Sequence, residues 1–194
     1  MLKNKYSIIA TFFLCSSFTA SADQNNGALE GFYIPHKGWA ESQELTPYAD
    51  TREQLGKFKI VLKRQGWKEL SDTEKTRIRH KLVIKGIFHN LIKNPLTLPK
   101  TSHQLLSNSR DGAVFTSNDE LTILGYDVCS PETGSVILNV HETLNFDYGI
   151  GKYQALQAGG TVYFQGTLDN CTLQNDFEVI RHEGGLCFGS ESCN

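Results

Sequence analysis

The chain has 194 residues, of which 39% are hydrophobic and 21% are charged, and its formal net charge is −2. This length suits one domain, or one domain with an appendage, and is sufficient for a substantial hydrophobic core. Beyond residue 22 no apolar stretch approaches the roughly 20 residues that a membrane-spanning helix needs, which excludes a transmembrane segment.

The first 22 residues have the pattern of a secretory signal peptide. Lys3 and Lys5 precede a short apolar run at residues 6–15, and Ala20-Ser21-Ala22 supplies small residues of the kind that a signal peptidase accepts. The pattern predicts cleavage after residue 22 and a mature chain of residues 23–194, so we expect a secreted or periplasmic protein.

Residues 23–50 have no clear hydrophobic period. Gly27, Gly31, Pro35, Gly38 and Pro47 interrupt the segment. Glycine and proline at such a density disfavour regular elements. We therefore expect an extended leader that packs against the rest of the protein.

Residues 51–103 are predicted to form a basic helical segment with two helices. In the first, Leu55, Phe58 and Leu62 recur at helical spacing. Ser71 and Glu74 form the sequence of a capping box, which indicates the start of the second. The apolar positions of that second helix are Ile78, Leu82, Val83, Ile87, Leu91 and Ile92.

Charge is distributed unevenly along the chain. Residues 51–103 hold thirteen Lys or Arg and four Asp or Glu, whereas residues 111–194 hold two basic and twelve acidic residues. The basic helices could pack on the acidic part or meet an anionic surface. A nucleic-acid partner is excluded, because Phe58, Trp67 and Phe88 are too few for a base-stacking surface.

From about residue 104 to residue 194 the hydrophobic period becomes two-fold, as in β-strands. Gly-rich breaks separate the strands, a pattern typical of an antiparallel barrel, with a barrel-like sandwich as the alternative. The predicted fold class is therefore α+β, a helical pair followed by the barrel. The apolar faces of these strands comprise Val136, Leu138, Val140, Leu144, Phe146, Val162, Phe164, Leu168, Phe177 and Val179.

One predicted hairpin carries a glycine motif: Gly149, Gly151, Lys152, Tyr153, Gly159 and Gly160. With its returning strand, this motif resembles secreted barrels related to dirigent proteins and allene oxide cyclases, over residues 112–188. The resemblance implies the barrel fold. That group includes proteins that cyclise or orient small apolar reactants, but none of its catalytic residues can be matched to this chain.

Four cysteines remain after the signal peptide: Cys129, Cys171, Cys187 and Cys193. An even number in an exported chain predicts two disulfides. A hairpin turning near residues 150–152 brings Cys129 close to Cys171 and leaves Cys187 for Cys193, and a Cys171–Cys187 bond is the alternative. The sequon at Asn170 would compete with a disulfide at Cys171 in a eukaryotic host.

Glu142 is the candidate functional residue, because strict alternation places it on the apolar face with Val140 and Leu144. An inward carboxyl group has a raised pKa and suits acid–base chemistry or ligand contact. A bulge that turns Glu142 outward is the structural alternative. No metal site or cofactor is expected, because the histidines, including His103, lack the spacing of metal ligands.

The sequence therefore predicts a barrel that binds a small apolar molecule or a surface partner, in preference to an enzyme. Two alternatives stay open. One is a cyclase- or isomerase-type enzyme that works in the barrel through Glu142, and the other is an effector that uses its basic helices on a membrane or host surface.

Overall fold

A computed structural model of the chain describes residues 27–46, 51–93, 100–101, 103–107, 112–189 and 193. The predicted signal peptide lies outside these residues. The strands are β1 (Gly31–Glu44), β2 (Thr51–Arg64), β3 (Lys81–Lys93), β4 (Lys100–Thr101), β5 (His103–Ser107), β6 (Gly112–Thr116), β7 (Asp119–Ser130), β8 (Ser135–Gly151), β9 (Gly160–Asp169) and β10 (Gln174–Phe188). A 3-10 turn at Trp67–Glu69 and one short helix, α1 (Asp72–Arg77), connect β2 to β3.

Eight of these strands form a closed antiparallel barrel. The ring runs β1, β2, β3, β5, β6, β8, β9 and β10, and β10 pairs with β1, so that Gly31 lies opposite Phe188. The remaining strands extend the wall: β7 pairs with the first half of β8, and β4 pairs with β7. The antiparallel β-barrel is thus confirmed, and the ring has no free edge.

The α+β class and the predicted helical pair are wrong. The segment at residues 51–103 contributes the barrel strands β2 and β3, and the segment expected to be a leader contributes β1. Along β2, Phe58, Ile60 and Leu62 are buried while Lys57 is exposed, which is the two-residue period of a strand. Val61 lies on the opposite face of β2 from Ile60 and Leu62, so the apolar residues of this segment also fit a helical period. For this reason the sequence predicted a helix here.

The predicted capping box is confirmed at a much shorter helix. The Ser71 hydroxyl accepts the Glu74 N–H, and the Glu74 carboxylate accepts the Ser71 N–H at 2.8 Å. The Ser71 hydroxyl also donates to the Glu74 carboxylate at 2.6 Å. This bond first, and then the bond from the Ser71 N–H, lower the pKa of Glu74, because they favour its charged form. The box starts α1, which has six residues and none buried, so it organises a connection and not a core helix.

The glycine motif forms the β8–β9 connection. Phe146 pairs with Gly160, which centres the hairpin just beyond the predicted residues 150–152. Gly151 has φ +64° and Gly159 has φ +90°, backbone conformations that favour glycine. Tyr153, at the tip, turns back into the barrel and is fully buried.

The two halves of the barrel interior differ in character. One half is filled by large apolar side chains, with Tyr33 and Phe188 in edge-to-face contact at 5.6 Å between ring centroids. Leu62, Leu82 and Phe146 are also fully buried. The opposite half contains buried polar groups and a cavity, described below.

Two disulfides are present, Cys129–Cys171 and Cys187–Cys193. Cys129 lies on β7 and Cys171 in the turn after β9, so the bond ties together the two strands that flank β8. Disulfides are consistent with a protein that resides outside the reducing cytosol. Within the described residues, no helix is long and apolar enough to span a membrane.

Removing the two disulfides separately is expected to have unequal effects. The Cys129–Cys171 bond closes a loop with a sequence separation of 42, and Cys187–Cys193 one of 6. From loop-closure entropy, replacing the first pair by serine should lower the free energy of unfolding by about 4 kcal/mol, and the second by about 2 kcal/mol. Urea unfolding of the two double variants tests this order, and equal losses would contradict it.

A buried acid–base site in the barrel

Buried polar side chains converge on one half of the barrel. Four of them, Gln54, Asn90, His103 and Glu142, border an internal cavity. The rest of its lining is mainly apolar: Ala40, Phe58, Phe88, Leu105, Leu121, Leu144, Phe164, Leu168 and Phe177. The free space is about 30 Å³, which is room for about two water molecules or for the end of a larger molecule.

Asp119 anchors the polar cluster. It follows Asn118, whose left-handed backbone (φ 52°) turns the chain from β6 into β7. Asp119 has no exposed surface. Its carboxylate accepts hydrogen bonds from the Asn145 N–H at 2.6 Å, from the Thr116 hydroxyl, and from the ring of His103. Three donors from three strands hold this side chain in one position.

His103 is the first residue of β5 and is held at two points. Its backbone N–H donates to the Thr116 hydroxyl oxygen at 2.9 Å, and its Nδ1 contacts Asp119 Oδ2 at 2.7 Å. The acceptor-only carboxylate assigns the proton to Nδ1, so the ring is oriented with Nε2 free to exchange a proton. Nε2 lies 3.6 Å from Oε1 of Glu142.

Glu142 points into the barrel from β8, with 9% of its surface exposed. Burial raises the pKa of Glu142, His103 offsets part of this increase, and Asp119 adds to it. Burial by itself would lower the pKa of His103, but the charge of Glu142 and the hydrogen bond that His103 donates to Asp119 outweigh it and raise that pKa. His103 and Glu142 therefore compete for one proton beside the cavity.

Asn90 and Gln54 form a second polar pair at the cavity. The Asn90 Nδ2 group donates to Gln54 Oε1 at 3.4 Å. Asn90 Oδ1 is buried and has no hydrogen-bond partner within the described residues. An unsatisfied buried oxygen is costly, so it is available to accept a hydrogen bond from a bound molecule.

The raised pKa values predict that acidification stabilises this cluster. A group whose pKa is higher in the folded state binds more protons when folded, so its contribution to the unfolding free energy falls as pH rises. The stabilising contribution of Glu142 begins to fall above its ordinary pKa of 4.5, and that of His103 begins to fall above its ordinary pKa of 6.5. Glu142→Gln removes the titrating carboxyl group of residue 142. It also removes the charge that contributes most to raising the pKa of His103.

The unfolding free energy of the Glu142→Gln variant should therefore decrease less than that of the wild type as pH rises from 4.5. Urea unfolding over a pH series measures the difference. Glu74 and Asp169 have lowered pKa values, so their contributions are lost below this window and do not disturb the comparison. Parallel pH profiles for the two proteins would contradict the prediction.

The structure brings one predicted site residue, Glu142, to the cavity, while the cysteines lie elsewhere. Within the described chain, one group of Cys, His, Asp or Glu side chains is close enough together to hold a metal ion. It comprises Cys129, Asp169 and Cys171. The two sulfurs are bonded to each other and are not thiolates, so this group does not fit a metal.

Sequence reasoning missed His103, Asp119, Thr116 and Asn90. His103 lies 39 residues before Glu142 in a segment expected to be helical, and only closure of the barrel brings the two together. The short spacing of Thr116 and Asp119 was the available signal, since Thr116 ends the apolar β6 and Asp119 begins β7 after a turn.

A comparison of the chain with protein-family models, with curated proteins and with solved structures found no match. The resemblance to dirigent-related barrels stays a prediction.

Proposed function

We propose that the barrel binds a small, largely apolar molecule and moves a proton on it, as an isomerase- or cyclase-type enzyme. The observation that supports this proposal is the 3.6 Å approach of His103 Nε2 to Glu142 Oε1 at the border of a mainly apolar cavity. Two titratable groups with raised pKa values beside a mainly apolar cavity are typical of acid–base catalysis.

The chemistry needs no cofactor. The Glu142 carboxylate accepts a proton from a carbon next to an unsaturated or carbonyl group, and the electron pair of the broken C–H bond moves into that group. The Glu142 carboxyl, whose proton exchanges with solvent at this stage, then returns one proton at another atom. His103, held by Asp119, donates a hydrogen bond that stabilises the negative charge while it is on the substrate. Atoms and electrons balance within the substrate, so the reaction is an isomerisation or a ring closure.

The cavity constrains the substrate. Phe58, Phe88, Phe164 and Phe177 favour an apolar body, and Asn90 Oδ1 favours a hydrogen-bond donor. Because the free space is about 30 Å³, only a slender end, such as an unbranched chain or the edge of one ring, enters beside Glu142.

Deuterium incorporation tests the proposal. The molecule that co-purifies with the protein is identified by mass spectrometry and then incubated with fresh protein in D2O. We expect deuterium on carbon faster than in buffer alone, because the proton that Glu142 takes from the substrate exchanges with solvent before a proton is returned. A molecule that binds without such exchange would contradict catalysis and favour the sequence-based expectation of a non-catalytic binding barrel.

A further inference from the structure

The outer wall formed by β2 and β3 carries four lysines, which we call the lysine face: Lys59, Lys63, Lys81 and Lys85. Register places Lys59 opposite Lys85 and Lys63 opposite Lys81. Like charges directly opposite each other destabilise a sheet. Residues 57–64 and 81–90 contain no Asp or Glu, and none of the four lysines forms an ion pair within the described part of the chain. The fold therefore tolerates a concentration of positive charge that does not stabilise it.

The positive potential reaches the neighbouring strands. On β1, the pKa of His36 is lowered by local desolvation first and then by the charge of Lys63. His182, Arg181 and Lys37 act in the same direction. Cationic groups from β1, β2 and β10 thus lie near His36, and an anionic partner would be attracted to this region.

An apolar row adjoins the lysine face on the same outer wall. Ile87 pairs with Leu106, Leu106 with Ala113, and Ala113 with Ile150, so the row crosses four strands in register. Ile87, Leu106 and Ile150 are 47%, 41% and 49% exposed. Lys85 lies two residues before Ile87 on the same face of β3. Ala113 is small and only 2% exposed, so the exposed apolar surface of the row comes from Ile87, Leu106 and Ile150. Exposed apolar side chains grouped on one wall are typical of a contact surface.

We propose that this wall docks the protein on an anionic lipid surface, with the lysine face on the lipid phosphates and the apolar row in the headgroup region. Charge favours this occupant over a second copy of the chain, because a two-fold contact would bring one lysine face towards another. The combination of cationic and apolar groups matches surfaces that lie on membranes without crossing them. This surface is outside the barrel cavity and is independent of the proposed catalysis.

Vesicle co-sedimentation of the mature chain tests the proposal. We expect binding to vesicles that contain phosphatidylglycerol, weaker binding at high salt, and none to pure phosphatidylcholine. Reversing Lys59 and Lys85 to Glu should weaken binding at least about tenfold. Ile87→Ser with Leu106→Ser should also weaken it about tenfold but leave the salt dependence unchanged.

A matched control reverses Lys68 and Lys75, which lie on the connection between β2 and β3 and change the net charge equally. Equal losses in both charge-reversed variants would overturn the proposal, since net charge alone would then explain binding. Absence of binding at low salt would overturn it as well. So would a dimer in solution that Ile87→Ser with Leu106→Ser converts to a monomer, because the wall would then be a self-interface.

Discussion

Replacing Asp119 with alanine is expected to lower the free energy of unfolding by about 3–5 kcal/mol, because removing one member of a buried charged network leaves its partners unsatisfied. Asp119 is fully buried and accepts hydrogen bonds from Asn145, Thr116 and His103. The variant leaves the Asn145 N–H without its acceptor. It also removes the carboxylate that holds the ring of His103, the first residue of the short strand β5. Urea unfolding at neutral pH measures the loss.

Asp127→Ala is the matched control for this measurement. Asp127 lies on the same strand, β7, but it is exposed. Its replacement should change the free energy of unfolding by less than about 0.5 kcal/mol. If Asp119→Ala were as mild as the control, the polar cluster would not be a structural anchor, and its role in orienting His103 would also be in doubt.

Glu142→Gln is expected to reduce deuterium incorporation about 10²–10⁴-fold, the usual contribution of a positioned general base. Glutamine keeps the size of the side chain and its place at the cavity, but it cannot accept a proton. Retention of the bound molecule should therefore be nearly unchanged. Mass spectrometry measures both quantities in one sample, because the amount of retained molecule reports binding and its isotope pattern reports exchange.

The exposed Glu183 on β10 supplies the control, Glu183→Gln, which makes the same chemical change away from the cavity. It should exchange at the wild-type rate. A Glu142→Gln variant that exchanges as fast as this control would show that another group carries the proton. His103 would then be the next residue to replace.

The sequence predicted the strands of the second half of the barrel well, because apolar and polar residues alternate clearly along β8 and the first part of β9. Val140, Leu144 and Phe146 are buried on one face of β8, and the inward position of Glu142 follows from the same alternation. The glycine motif also indicated the hairpin, because Gly151 and Gly159 adopt conformations that other residues avoid.

The first half could not be assigned with the same pattern. Outward Val61, Val83 and Ile87 make both faces of β2 and β3 partly apolar, so helical and strand periods fit equally well. For a related reason, only part of the candidate site could be predicted from the sequence. The position of Glu142 follows from the local alternation of apolar and polar residues. Its proximity to His103 and Asp119 depends on which strands become neighbours, and the local sequence pattern does not contain that information.

The pairing of β1 with β10 has a consequence for how the protein is made. Gly31 lies opposite Phe188, so the ring can close only after nearly the whole described chain is available. A growing chain presents β1 with an unpaired edge, which other strands can join. Closure of the ring should therefore be a late step of folding, which waits for the last strand.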